Sequence, residues 1–262
     1  MIKEKYTFYD LVEIMKILRS ENGCPWDREQ THESLKKYLI EETYEVLEAI
    51  DKRDRFLICE ELGDLLLQIV FHARIAEENN DFDIDDVITG ISKKMYSRHT
   101  HVFGEDIAKT ADDVLQNWDK IKRNEKHIST YTDEMRSIAR NLPALMRSYK
   151  VQHKAAKVGF DWDDVDDAMA KVYEELEEVK IARKNNDEQE MHEEIGDLLF
   201  AVVNVSRFLK VHPELALADS VDKFIKRFDY IEKNAVANGK KLEEMSLKEM
   251  DDLWNQSKSQ KI

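Results

Sequence analysis

Residues 41–74 read EETYEVLEAIDKRDRFLICEELGDLLLQIVFHAR, and residues 174–207 read EELEEVKIARKNNDEQEMHEEIGDLLFAVVNVSR. The two stretches align without a gap at an offset of 133 positions, which pairs Glu42 with Glu175 and Asp64 with Asp197. The same register pairs Glu41 with Glu174, Glu45 with Glu178, Glu60 with Glu193, Glu61 with Glu194, Gly63 with Gly196 and Arg74 with Arg207. Glu-rich helices resemble one another by composition alone. Composition does not reproduce Glu-Glu-x-x-Glu followed at one fixed distance by Glu-Glu-x-Gly-Asp-Leu-Leu. The chain therefore carries a duplication, and a repeat of this kind governs the whole domain organisation.

Working outward, residues 124–134 (NEKHISTYTDE) lie between the copies, are polar and lack a helical period, so they read as a linker. Pro143 follows and starts or interrupts a helix. The expected units are residues 1–123 and 135–262. With only 7 Gly and 3 Pro in 262 residues, the chain lacks the turn residues that a sheet-rich fold needs, so the expectation is all-α with long helices. A composition of 42% hydrophobic and 36% charged residues suits helices with one wet and one dry face.

The formal net charge of −15 leaves no broad basic surface for a nucleic-acid backbone, so DNA or RNA binding is not expected. An anionic small ligand would need local cations or a bound metal. The two cysteines, Cys24 and Cys59, have no zinc-type spacing and fit a reducing compartment. The charged start, Met1 to Lys5, is unlike a signal peptide, and the apolar run Leu65 to Phe71 is too short to span a bilayer. A cytoplasmic protein without membrane association is expected.

The carboxylates are out of place for ordinary amphipathic helices. Leu35, Tyr38, Leu39, Val46, Ala49 and Ile50 recur at helical spacing, and Glu42 and Glu45 fall inside that stripe. Three positions apart, they share a face. A second helix, from about Phe56 to Glu77, is apolar on nearly every side in its middle and is expected to be buried, with Glu61 and Asp64 at its entrance. The second copy repeats this with Glu175 and Glu178, then Glu194 and Asp197. Two such helices packed antiparallel gather four carboxylates per unit. Clustered anions in a low-dielectric site take up protons or bind a cation, and hard oxygen ligands suit Mg²⁺ or Mn²⁺. Gly63 and Gly196 stand beside the acids. Glycine inside a helix costs about 1 kcal/mol relative to alanine, which suggests close approach of a neighbouring helix or ligand.

These residues resemble the MazG family of all-α nucleoside triphosphate pyrophosphohydrolases, whose pattern of Glu-Glu-x-x-Glu and then Glu-x-x-Asp is fulfilled twice. Gly23 to Asp27 with Thr31 to Leu35, and Leu142 to Leu145 with Val158 to Trp162, also look like that family. The resemblance covers nearly the whole chain in the order of the two-domain members. It implies small helical bundles that pair, usually as homodimers. It also implies hydrolysis of nucleoside triphosphates, NTPs or dNTPs, to the monophosphate and pyrophosphate. Carried over residue by residue, the Mg²⁺ ligands would be Glu42, Glu45, Glu61 and Asp64 in the first unit and Glu175, Glu178, Glu194 and Asp197 in the second. The C-terminal unit is the usual carrier of activity, with a role in nucleotide-pool cleaning or stress-linked nucleotide control.

Such a site activates water for attack on the α-phosphorus while its cation offsets phosphate charge. Glu174 and Glu41, beside the ligands, are candidate proton acceptors by position. Candidate substrate contacts are Lys171 and Glu193 near the acids, then Lys223, Lys226 and Arg227, with Lys94 and Arg98 at similar spacing in the first unit. The resemblance places Trp254, and by analogy Trp118, near the nucleotide, where an indole stacks on a base; helix packing is the plainer role for either. A carboxylate-bridged di-iron bundle is a rival, but it needs Glu-x-x-His pairs facing the core, and the only such spacing is Glu29 to His32. A non-enzymatic helical interaction protein is the other rival; it needs no inward-facing acids.

Overall fold

A computed structural model describes residues 2–125 and 129–259, leaving aside the side chains of residues 112, 116 and 124. The described residues contain helices and no strand. The chain divides into two compact units, Met1–Lys122 and Arg123–Ile262. In chain order the helices are α1 (Phe8–Leu18), α2 (Pro25–Glu29), α3 (His32–Lys52), α4 (Arg55–Glu78), α5 (Ile84–Arg98), α6 (Thr100–Phe103) and α7 (Ala111–Glu125). There follow α8 (Tyr131–Arg136), α9 (Ala144–Ala156), α10 (Val165–Asn185), α11 (Glu188–Phe208), α12 (Pro213–Ala237), a 3₁₀ turn (Leu242–Glu244) and α13 (Leu247–Ser259).

The duplicated stretches form two helical hairpins, α3 on α4 and α10 on α11. Their elbows are built alike. Arg53 and Asn186 take left-handed backbone conformations at φ 54° and 55°. The next amide reaches back to the preceding helix, Asp54 N to the Ala49 carbonyl at 3.3 Å and Asp187 N to the Ala182 carbonyl at 3.2 Å. Each aspartate then caps the following helix: Asp54 accepts from the amides of Phe56 and Leu57, and Asp187 from those of Gln189 and Glu190. Duplicate elbows give both hairpins the same register, which sets the first helix's acids against the second's.

In unit 1 the core is Met15, Leu35, Val70, Phe71 and Ile75, with Tyr38 and Leu67 packed against it. Unit 2 buries smaller residues: Ala168, Ala182, Ala201 and Ala235, with Val203 and Ile231.

Three expectations need revision. The middle of α4 is not buried all round: Gln68, Val70, Phe71, Ala73, Ile75 and Ala76 face inward, whereas Leu62, Leu66 and Ile69 are exposed. The exposed set repeats at the same offset as Ile195, Leu199 and Val202 on α11. The cause is an apolar face that this single chain leaves uncovered. Nor, among the described residues, does a neighbouring helix approach Gly63 or Gly196; a Cβ built at either meets no atom of the chain within 4 Å outside its own helix backbone, which leaves the space for a ligand open. The stretch read as a linker is helical at both ends. Asn124 and Glu125 close α7, and Tyr131 to Glu134 open α8 under a Thr130 cap, while residues 126–128 lie outside the described residues. Glu134 explains the second helix: it is buried and bonded to Arg123 (3.6 Å) and Lys154 (2.5 Å), so a charge that reads as solvated holds α8 against α9.

Candidate active site

Helical spacing carries the acids of each hairpin onto the faces where its two helices meet. In unit 1, carboxylate oxygens of Glu42, Glu45 and Glu61 all lie within 4.8 Å of one another. In unit 2 the corresponding group is Glu175, Glu194 and Asp197. Asp64 stands outside the first group, yet its charge bears on Glu42. Glu178 stands outside the second but is hydrogen-bonded to Glu175. The candidate proton acceptors Glu41 and Glu174 are exposed beside these groups.

The electrostatic consequence is a set of carboxyls that hold protons more tightly than usual. Burial, then the charges of Asp64 and Glu45, pushes Glu42 up. Burial, then Glu45 and Asp64, does the same to Glu61. In unit 2 the hydrogen bond that Glu178 donates to Glu175, then burial, raises Glu178, and burial with the charges of Glu175 and Asp197 raises Glu194. Raised values are the expected response of crowded, partly desolvated anions.

Lys171 is one cation the fold supplies. One turn before Glu175, its Nζ lies 2.8 Å from Glu174 and 2.7 Å from Glu175, and hydrogen bonds to both raise its proton affinity above the ordinary lysine value. Glu175 is 5% exposed, so this pair sits at the rim of a buried charge. Glu193 is exposed and accepts from Gln189 Nε2 at 3.1 Å. Lys223 and Lys226 lie exposed on α12. Arg227 is half-buried, its guanidinium 5.4 Å from the Trp254 ring centroid, and Phe224 packs on the same ring at 5.1 Å. Trp254 is thus packed between α12 and α13. In unit 1, Lys94 is exposed and Arg98 half-buried on α5. Trp118 meets His99 edge-on at 4.9 Å and carries Lys122 over its face at 5.6 Å.

Other features show their contacts only in the structure. A cavity of about 590 Å³ in unit 2 touches Lys171, Glu175 and Asp197 at one edge and extends between Phe160 and Trp162 on the α9–α10 loop and Gln152 on α9. Gly159, at φ 82°, turns the chain into that loop. Asp161 is held by Arg207, which also donates from Nε to Asn204 Oδ1 at 3.0 Å. In unit 1, the His32 and His72 rings stack at 5.0 Å with their Nδ1 atoms 2.7 Å apart, tying the start of α3 to the middle of α4. The sequence carried two signals: Val158 to Trp162 stands out as a family-like stretch, and at the repeat offset Lys171 matches Tyr38 and Asn204 matches Phe71.

The fold and site define a class: a tandem all-α protein with carboxylate groups of the kind that suit a hard divalent cation. Residues 30–103 and 164–232 each match the family model of the MazG nucleotide pyrophosphohydrolase domain. A Thermotoga maritima relative named nucleoside triphosphate pyrophosphohydrolase/pyrophosphatase MazG is 45% identical over 96% of this chain and 95% of its own length. The Escherichia coli K12 nucleoside triphosphate pyrophosphohydrolase is 43% identical over 96% of this chain and 97% of its own. A Bacillus subtilis protein, YabN, is 50% identical over 94% of this chain and half of its own length. The chain belongs to the MazG family and is a nucleotide pyrophosphohydrolase.

Proposed function

We propose that this chain hydrolyses nucleoside triphosphates, ribo- and deoxyribonucleotides alike, to the monophosphate and pyrophosphate with Mg²⁺ as its cofactor and Mn²⁺ as a substitute. The observation that carries the reading is the gathering of Glu175, Glu194 and Asp197, and of Glu42, Glu45 and Glu61, each with oxygens within 4.8 Å. Mg²⁺ holds oxygens at about 2.1 Å, so two of its ligands lie no more than roughly 4.2 Å apart, and small side-chain shifts close the difference. The donors are all hard carboxylate oxygens, with no thiol or imidazole among them, which fits Mg²⁺ better than zinc or iron.

Glu175, Glu178, Glu194 and Asp197 would hold the ion in unit 2, and Glu42, Glu45, Glu61 and Asp64 in unit 1. When bound, the ion supplies charge compensation for the phosphates and acidifies water for attack on the α-phosphorus. Lys171 Nζ, now shared by Glu174 and Glu175, turns to a phosphate oxygen. That frees the Glu174 carboxylate to take the proton of the attacking water; Glu41 has the same place in unit 1. Lys223, Lys226 and Arg227 receive the charge of the departing pyrophosphate. We assign the main activity to the C-terminal unit, because there the cation stands beside the acids.

Pairing of two copies belongs to the same reading. Ile40, Leu62, Leu66 and Ile69, and at the same offset Tyr173, Ile195, Leu199 and Val202, are exposed on the paired helices, an apolar surface of the kind that a subunit covers. Among the described residues no helix is long and apolar enough to cross a membrane, and we place the protein in the cytoplasm, acting on the nucleotide pool. The test is incubation of the full chain with each NTP and dNTP, Mg²⁺ and ¹⁸O-labelled water, with product analysis. The expected products are pyrophosphate and a nucleoside monophosphate carrying the label. Orthophosphate with a diphosphate nucleotide, or label in the pyrophosphate, rejects the assignment.

A further inference from the structure

We infer that Arg207 is a positioning residue for the substrate: standing behind the cavity of unit 2, it joins Asp161 on the α9–α10 loop to Asn204 on α11 and so fixes the distance between those two walls. The inference rests on the nucleotide reading above. Asp161, Trp162 and Asn204 line the cavity, with Lys171, Glu175 and Asp197 at its acidic edge. Arg207 acts through the first three and not by contact with the ligand.

The contacts run in one line. Asn204 and Arg207 are three positions apart on α11 and share a face. Arg207 donates from Nε and from Nη2 to Asn204 Oδ1, at 3.0 and 2.9 Å. The same Nη2 donates to Asp161 Oδ1, 46 positions away. Asp161 Oδ1 in turn accepts from the backbone amide of Trp162 at 3.0 Å. One guanidinium thus sets a side chain in one wall and the backbone at the aromatic residue of the other.

Burial makes this line matter. The Arg207 side chain is 10% exposed and that of Asp161 23%. A pair at that depth is screened less than a surface pair, and a charge left there alone is costly. Without Arg207, Asp161 turns out to water and draws the amide of Trp162 with it. The ends of the loop have their own anchors: Phe160 N bonds to the Ala155 carbonyl at 3.2 Å behind Gly159, and Asp164 caps α10 through the amides of Asp166 and Asp167. Between these anchors Phe160 and Trp162 are exposed, so burial does little to hold the middle of the loop. A wall that is already in place matters for affinity, because a ligand that must first order its site binds more weakly.

The repeat supplies an internal control. Arg74 occupies the Arg207 position in unit 1, and Phe71 the Asn204 position. There the guanidinium turns along its own helix to Glu77 and Glu78, at 2.9 Å each. The same residue type at the same helical position steadies the end of α4 in one unit and spans two cavity walls in the other.

The test is steady-state kinetics of pyrophosphate release by the full chain, with nucleoside triphosphate and Mg²⁺ varied in turn. Arg207→Met should raise KM for the nucleotide roughly tenfold and leave kcat within about twofold, because the wall it holds is needed before the chemical step. The Mg²⁺ concentration for half-maximal rate should stay within about twofold, although Glu194 and Asp197 share α11 with Arg207. A general distortion of α11 would move that requirement together with KM. Arg207→Lys, whose ammonium can still meet Asp161, should bring KM back to within about threefold of the unsubstituted chain. Arg74→Met should change none of the three quantities by more than about twofold. An unchanged KM in Arg207→Met, a parallel rise in the Mg²⁺ requirement, no recovery with lysine, or an equal effect of Arg74→Met overturns the inference. Should Arg207→Met not fold, Asp161→Asn decides, because it removes the charge and keeps the size of the side chain: a raised KM with unchanged kcat supports the inference, and an unchanged KM overturns it. An unsubstituted chain that releases no pyrophosphate sinks the function proposed above and this inference with it. An active chain whose KM ignores Arg207→Met sinks this inference alone.

Discussion

Tyr38 and Lys171 occupy the same place in the two repeats, one turn before Glu42 and Glu175. In unit 2 the ammonium of Lys171 lies against Glu174 and Glu175. In unit 1 the Tyr38 ring joins an aromatic group instead: Trp26 meets it at 5.9 Å, and Lys37 rides over its face at 4.6 Å. A second difference runs the same way. Phe71, 2% exposed, fills the core of unit 1, while Asn204 at the matching position lines the cavity of unit 2. Both units kept the acids. Among the described residues, it is in unit 2 that an ammonium pairs directly with one of the grouped acids and that a cavity touches the group. Unit 1 is filled with rings where unit 2 is open.

The most severe way to break this comparison is to neutralise the matching acids one at a time. Glu175→Gln should lower kcat for pyrophosphate release by a factor on the order of 100 or more, and Glu42→Gln by less than about threefold. Equal losses would make the two units equal partners. Next, Lys171→Met should reduce kcat/KM by roughly 10- to 100-fold, mostly through KM, because it removes a phosphate contact present before the chemical step. An unchanged KM would leave Lys171 as a partner of Glu175 alone.

A smaller effect is thermodynamic. Glu42, Glu61, Glu178 and Glu194 hold protons in the folded chain that they release on unfolding. From the ordinary value of 4.5 up through their raised values, the folded chain binds more protons, so stability falls as pH rises. On the reading proposed above, a divalent ion would replace those protons. Saturating Mg²⁺ should therefore raise the melting temperature by about 2–4 °C near pH 7.5, and by less near pH 5. His72 works in the opposite direction. Burial, then the charge of His32, keeps it neutral, so stability falls as pH drops below 6.5, and Mg²⁺ should leave that limb unchanged. A melting profile indifferent to Mg²⁺ at every pH would remove the metal site.

The duplication made much of this legible. Glu42, Glu45, Glu61, Glu175, Glu194 and Asp197 come together because helical periodicity and a constant offset survive any detail of packing. What was not legible depended on neighbours far apart in the chain. His32 finds His72 forty positions away, and Gln152 finds the carbonyl of Phe200. Trp254 carries two readings in the sequence, base stacking or helix packing, and its contacts with Phe224 and Arg227 are visible only in the structure. The exposed side of α4 misled for a different reason: Leu62 and Leu66 state that the face will be covered, not by which chain.

The elbow between α3 and α4 offers one more use, in protein engineering. Asn186 tolerates the left-handed conformation at the corresponding bend, but Arg53 adopts it at a steric penalty. Arg53→Asn should relieve up to about 1 kcal/mol and make the catalyst hardier without altering any group that meets substrate. Hydrogen exchange confined to residues near the bend would register the change, and turnover at saturating substrate should stay the same.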